Sequence, residues 1–330
     1  MTTNGADKII QEAPPPALHH YTSQKGLIGM IESRKMWASN IFYLNDATEY
    51  TYASDLILKI LSCRLVAITG EEHPRKRSLD LLSASGWHDN RKITDSGLSC
   101  YDRQCIFIES IMKLLEDLKK DYEGAPIYIL SFTGWEDDIS QWRGYCPHGM
   151  GFCLEFETSS LIEQMKKFDL AIVRCLYKAE EQEQEIRNIL AQSIDALKTA
   201  FDNFDKPEDK EKAIKDVKFK AVLDFLRLMP RLKDKAFKDE NEWRFISAEK
   251  KFSTKFREGT SMVVPYVEIP LAGADAAPTE IIEPIKIIKR ILVGPTPHKM
   301  LSKKSVESLL KINKMEGCKV ELSNVPYRTW

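Results

Sequence analysis

This 330-residue sequence lacks several things, and each absence removes a class of protein. No sign of charge predominates: 48 Lys and Arg stand against 49 Asp and Glu, a formal net charge of −1. A protein that grips nucleic acid over its whole surface carries a basic excess, which this chain does not, although a local basic patch stays open. No apolar run approaches the roughly 18 residues of a membrane span; the longest, Leu56 to Ile68, is broken by Lys59 and Arg64. Nothing near Met1 has the apolar region of a signal peptide. The seven cysteines are odd in number and contain no C-x-x-C pair, which fits reduced thiols in a cytosol better than a disulfide framework or a zinc ribbon. A cytoplasmic protein with no membrane partner is expected. Phosphate-loop, dinucleotide-fingerprint, H-E-x-x-H and G-x-S-x-G patterns are missing too. The one close histidine pair, His19-His20, would point to opposite faces of a strand, so no metal site is expected.

What is present is an ordinary globular composition, 43% hydrophobic and 29% charged. Residues 1–17 read as a flexible leader ending in a proline run. A short extended segment, Leu18 to Tyr21, leads to a helix over Gln24–Ser33, with Thr22-Ser23 as its cap. The pattern then gives a strand near Lys35–Ser39, helices near 48–67 and 103–122, and strands near 126–133, 149–156 and 172–177. From 180 to about 232 nearly everything favours helix, with one break at Lys206-Pro207. Strands return at 242–246, 262–269 and 285–293, followed by a helix at 304–315 and a strand at 318–322. Strands and helices mix without regular alternation, so the expected class is α+β: one domain over 18–330 with a helical insertion at about 180–232.

Four small groups carry chemistry. They are His20-Tyr21-Thr22; Trp37-Ala38-Ser39 followed by Asn45-Asp46 and Glu49; Ser131-Phe132-Thr133 with Ser140 to Tyr145; and Lys238 to Arg244. If the last is extended, period two puts Glu240, Glu242 and Arg244 on one face and Trp243 and Phe245 on the other. That face is either a solvated salt-bridge ladder or the polar wall of a pocket. Asn45-Asp46 is either a turn or a polar lid. The lysines between Lys210 and Lys220, with Arg231, Lys233, Lys235 and Lys238, form either a basic surface or a solvated helix face.

Taken in order, these groups resemble the bacterial family of the domain of unknown function two-nine-seven-one. Its members share a His-Tyr-Thr opening, Trp-x-Ser and Asn-Asp-x-x-Glu, then Trp-x-x-Tyr and a glycine-led strand. Glu-x-Glu-Trp-Arg and Ile-x-x-Gly-Pro follow, the latter standing here as Ile291 to Pro295. The resemblance covers about residues 18–328.

More distantly, a His-Tyr pair on an opening strand with a late strand-borne glutamate is similar to the ADP-ribosyltransferase fold of the His-Tyr-Glu type. That resemblance implies a split β-sheet core holding NAD, consumed as a substrate. It implies His20 on the adenine-side ribose, with Tyr21, Thr22 and Ser39 beside the cofactor. Tyr145 or Trp142 would stack on nicotinamide, and Glu242 would bond the nicotinamide ribose. Glu240 would orient or deprotonate the acceptor. Arg143 and Arg244 pair either with the cofactor's diphosphate or with Glu240 or Asp46. The expected activity is mono-ADP-ribosylation of a macromolecule, nucleic acid or protein. Such an enzyme would act as a bacterial toxin or antiviral defence effector, restrained by an antitoxin or regulatory partner. The alternative is a non-catalytic binding module on the same fold.

Overall fold

The computed structural model describes residues 13–44, 49–70, 97–120, 127–146, 150–247, 252–259, 261–271, 286–315 and 317–326. The fold is mixed α+β. The chain separates into two compact units: residues 46–125 and 176–234 form one, and the remainder forms the other. The described part of the expected leader is tied down, because Thr158 donates to Pro15 O and Pro16 O through Oγ1 (2.6 Å) and N (3.0 Å).

The first unit holds a ten-stranded sheet. Its strands are β1 (Ala17–Thr22), β2 (Lys35–Asn40), β3 (Tyr128–Thr133), β4 (Phe152–Glu157) and β5 (Ala171–Arg174), then β6 (Glu242–Ser247), β7 (Lys255–Glu258), β8 (Val263–Pro270), β9 (Ile288–Val293) and β10 (Lys319–Leu322). The helix expected at 24–33 is α1 (Gln24–Ser33). The Ser23 hydroxyl accepts from Gly26 N–H at its start, and Arg34 in the left-handed region (φ 56°) ends it and turns the chain into β2.

The sheet divides at β3. One edge of β3 pairs along its whole length with β6. The other edge is shared: β2 takes Tyr128 and Ile129, while β1 takes only Thr133. Two arms leave from there, β2–β8–β7 and β1–β4–β9–β10. Between them Ser131 O finds no strand partner, and His20 Nδ1 donates to it at 2.9 Å. A buried carbonyl is thus satisfied by a side chain where the ladder opens.

Leu18, Leu130, Phe132, Phe156 and Phe245 make the apolar face of the sheet, with Phe132 edge-on to Phe156 and Phe245 at 5.4 and 5.6 Å. Against it lie Leu27 and Ile31 of α1, Leu161 and Met165 of a helix over Thr158–Lys166, and Val306 and Leu310 of a helix over Lys299–Ile312. The last begins five residues earlier than its apolar pattern suggests. The helix over Thr158–Lys166 and strand β7 were not apparent in the pattern. β7 is a largely exposed edge strand, Lys-Phe-Arg-Glu, whose three charged residues resist pairing with other chains.

The second unit is helical. Its described helices are α2 (Glu49–Thr69), α3 (Cys100–Lys120), α6 (Ala179–Asp202) and α7 (Pro207–Leu228), the numbers α4 and α5 going to Ile139–Tyr145 and Thr158–Lys166 and α8 to Lys299–Ile312. Gln182 is wholly buried there; its amide donates to Leu176 O and Lys233 O (2.7 and 2.8 Å) while its oxygen accepts from Tyr52 (2.8 Å). Arg103 of α3 lies 4.2 Å over the Phe201 ring. Among the described residues no helix is long and apolar enough to cross a membrane.

Candidate functional site

The face of the sheet opposite the apolar core carries a row of polar side chains. Residues opposite one another in a ladder point the same way. Glu242 faces Thr133, Thr133 faces His19, His19 faces Glu155 and Glu155 faces Arg290, five neighbours across five adjoining strands. Tyr21 and Arg244, two residues along, share that face, whereas His20, Phe132 and Trp243 alternate to the other.

Segment 134–146 folds over this face. Tyr21 donates to Trp135 O (3.3 Å) and accepts from Asp138 N–H (3.0 Å). Asp138 caps α4 by accepting from Ser140 and Gln141 N–H. Trp142 is fully buried, edge-on to Tyr21 at 4.7 Å, with Nε1 donating to Asp137 (2.9 Å). Asp137 also accepts from Ser323 and Asn324, which holds the turn onto the C-terminal segment. Two glycines allow this close packing. A Cβ on Gly294 would lie 2.7 Å from the Trp142 ring, and one on Gly151 would lie 2.5 Å from Thr22 O.

At the β6 end three polar groups meet. Glu242 and Arg244 form a buried two-point ion pair, with Nε–Oε1 and Nη2–Oε2 both 2.8 Å. The Cys175 thiol stands 3.7 Å from Glu242 Oε2. Glu240 lies outside the strand, because Asn241 adopts φ 42° and breaks the alternation. Its half-buried carboxylate accepts from Tyr145 OH at 3.2 Å, and its main-chain oxygen accepts from Thr133 Oγ1 at 2.7 Å. Burial, then the carboxylates of Glu242 and Glu240, push the Tyr145 phenol well above its ordinary range, so it donates and does not ionise.

The expected site residues therefore divide. Glu240, Glu242, Arg244 and Tyr145 come together. Of the two aromatics, Trp142 is fully buried and Tyr145 half-buried. Arg244 pairs with Glu242 at two points. His20 points to the opposite face of the sheet from Glu242, where it packs 5.6 Å from Phe132. Burial lowers its pKa, only partly offset by the bond to Ser131, so it stands neutral. Tyr21 is a buried structural donor, and the Thr22 carbonyl faces the Cys146 thiol at 3.6 Å. Ser39 sits in the other arm, where Arg257 donates to it at 3.2 Å. Arg143 is exposed on α4. Asn45-Asp46 lies outside the described residues. Burial raises the Cys146 thiol to about 12 and the Cys153 thiol further, which suits neither to nucleophilic attack.

The lysine-rich stretch does not form a continuous basic face among the described residues. Lys218 and Lys233 are buried, Lys220 pairs with Asp224 (2.9 Å), and Arg231 lies 3.8 Å from Glu185.

Four residues in or beside the polar row were not among the expected site residues: His19, Glu136, Glu155 and Arg290. Arg290 holds Glu136 at 2.6 Å, Glu321 at 2.9 Å and Glu155 at still closer range. Burial is the chief cause lowering the His19 pKa; Arg290 acts the same way, while Glu155, Glu136 and the Thr133 backbone oppose it. Charged residues on otherwise apolar strands, Glu155 in β4 and Arg290 in β9, were the available signal.

The model of the family described as protein of unknown function (DUF2971) matches residues 141–245. The match takes in α4, the glycine-led strand β4 and the Glu240–Arg244 segment. It covers about a third of the chain and leaves out β1, β2 and β9. No curated protein and no solved structure matches the chain.

Proposed function

We propose that the protein is an NAD-dependent mono-ADP-ribosyltransferase acting on a macromolecule, nucleic acid or protein. The observation that carries this reading is the convergence of Glu240, Glu242, Tyr145 and Arg244 at one end of a divided sheet. In the reaction the bond from ribose C1′ to the nicotinamide nitrogen breaks, and its electron pair leaves with neutral nicotinamide. The sugar carbon becomes cation-like, and a nearby carboxylate stabilises it. An oxygen or nitrogen of the acceptor then bonds to C1′ and gives up its proton.

The burial of Glu242 redistributes the expected roles. Glu240, half-buried and held by Tyr145, is the carboxylate that reaches a bound ribose or acceptor. Glu242 fixes Arg244 behind it. Tyr145 supplies the ring for the nicotinamide. His20 is set apart from this group: it points to the opposite face of the sheet, with Nδ1 donating to Ser131 O in the fork. A toxin or phage-defence role, with a restraining partner, belongs to this same proposal.

A second reading is favoured by one observation. Both members of the Glu242–Arg244 pair are desolvated and satisfied by each other, as in a structural ion pair of a non-catalytic binding module. Incubation of the full chain with NAD separates the two. The transferase releases nicotinamide, and Glu240→Gln lowers the release at least tenfold while leaving the protein folded. No release above the solvent rate, in the presence of a cell lysate as acceptor source, refutes the transferase and leaves the binding module. NAD labelled on the adenine ring then shows whether RNA, DNA or protein takes the label.

A further inference from the structure

The polar row contains a second constellation, at its other end, that the proposed transfer reaction does not use. The imidazole of His19 and the carboxylates of Glu136 and Glu155 each offer one ligand atom, and these three atoms lie within 4.8 Å of one another. His19 Nε2 and Glu155 Oε2 are 3.7 Å apart. Ligand atoms bound to one zinc-class ion at about 2.0–2.2 Å stand roughly 3–3.5 Å apart, so small side-chain rotations close the set.

The independent observation is His19 itself. It is 4% exposed, and beyond a weak contact with the Thr133 backbone neither ring nitrogen has a well-formed hydrogen-bond partner. A buried imidazole normally has at least one, and each orphan needs a physical reason. An imidazole on a rigid central strand, within reach of two carboxylates, is preorganised for a cation. We propose that His19, Glu155 and Glu136 bind a divalent transition-metal ion of the zinc, cobalt or manganese class.

The charge around the site fits that ion. Arg290 contacts three carboxylates, Glu136, Glu155 and Glu321. Together these four groups carry a net charge of −2, the complement of a divalent cation; Lys303 and Lys319 act more remotely, on Glu321. On binding, Glu136 passes from Arg290 to the ion, Glu155 bridges ion and guanidinium through its two oxygens, and Arg290 stays on Glu321. The nitrogen ligand selects against calcium and magnesium, which take oxygen. Glu136 is the door: its side chain is 47% exposed on the turn after β3, whereas Glu155 and His19 are 21% and 5% exposed.

The test uses the full chain, stripped with EDTA and titrated with zinc, and separately with cobalt for its absorption. One equivalent should bind and raise the melting temperature. The cobalt spectrum should lack the thiolate charge-transfer band that binding at any of the seven cysteines would bring. Glu136→Gln, on the exposed turn, should leave the metal-free melting temperature unchanged and weaken binding at least tenfold, and His19→Gln should do at least as much. If His19→Gln does not fold, Glu155→Gln takes its place. The proposal is overturned if zinc gives no stabilisation, if the thiolate band appears, or if Glu136→Gln binds as tightly as the unaltered chain. Nicotinamide release plays no part in this readout, so the two proposals fail separately.

Discussion

Neutralising Glu242 tests how this unit is held together before it tests any reaction. Its side chain and that of Arg244 are 5% and 2% exposed and meet at two points. Glu242→Gln keeps the shape and one acceptor but removes the charge that balances a buried guanidinium. Breaking a desolvated pair from one side costs about 3–5 kcal/mol, far more than the 0–1 kcal/mol of a surface pair. In a unit of roughly 190 residues each kcal/mol moves the melting temperature by about 2–4 °C, so a fall of about 6–20 °C is expected. Glu242→Leu combined with Arg244→Met removes both charges and should recover most of that loss. Differential scanning calorimetry of the three proteins at neutral pH provides the measurement. A shift of less than about 2 °C in the single variant, or a double variant no better than the single one, would refute a buried, mutually dependent pair. Nicotinamide release by Glu242→Gln then has meaning only when scaled to the folded fraction, which makes Glu240→Gln the cleaner probe of the reaction.

Other outcomes follow from the same geometry. Burial lowers the pKa of His20 below 6.5, so near neutral pH it is uncharged folded and unfolded and contributes nothing. As pH falls through 6.5 the unfolded chain takes up a proton that the native state refuses, and stability drops by up to about 1.4 kcal/mol per pH unit until the native pKa is reached. Urea titrations from pH 7 to 5 should show His20→Gln losing less than the unaltered chain; parallel curves would contradict the burial. Gly294→Ala presses a methyl group into the Trp142 ring and should cost about 1–3 kcal/mol, read as a lower urea midpoint with unchanged m-value. In the helical unit, Gln182→Ala strips three hydrogen bonds from a buried site and should cost about 2–4 kcal/mol, whereas Tyr145→Phe should cost about 1 kcal/mol or less by the same measurement.

Local signals in the sequence were enough for elements whose causes are local. Helix α1 runs over the residues its cap and apolar spacing indicate, and α6 and α7 break where Lys206-Pro207 suggests. Period two correctly put Glu242 and Arg244 opposite Trp243 and Phe245. It failed at Glu240, one residue beyond the left-handed Asn241, because a positive φ at a non-glycine residue leaves little trace in composition. Which of His19 and His20 faces Glu242 is a matter of register, fixed by the Thr133 pairing more than 100 residues away. The fate of Trp142 depends likewise on a glycine at 294. The nine-residue helix at Thr158–Lys166 and the charged edge strand β7 are short enough that tertiary packing, not propensity, decides them.

The shared edge of β3 has a consequence for how the chain is made. Its partner β6 lies about 110 residues downstream, beyond residues 176–234 of the second unit, and β4 and β9 must still arrive to complete the arm that begins at β1. At about 5–20 residues per second, synthesis leaves Tyr-Ile-Leu-Ser-Phe-Thr with one bare edge for roughly 5–20 seconds. A strand at the centre of the finished sheet is therefore left with an open edge during synthesis, and β2, which waits for β8, is left so for longer still. Slow, long-range closure of this kind makes the nascent first unit a natural client for chaperones.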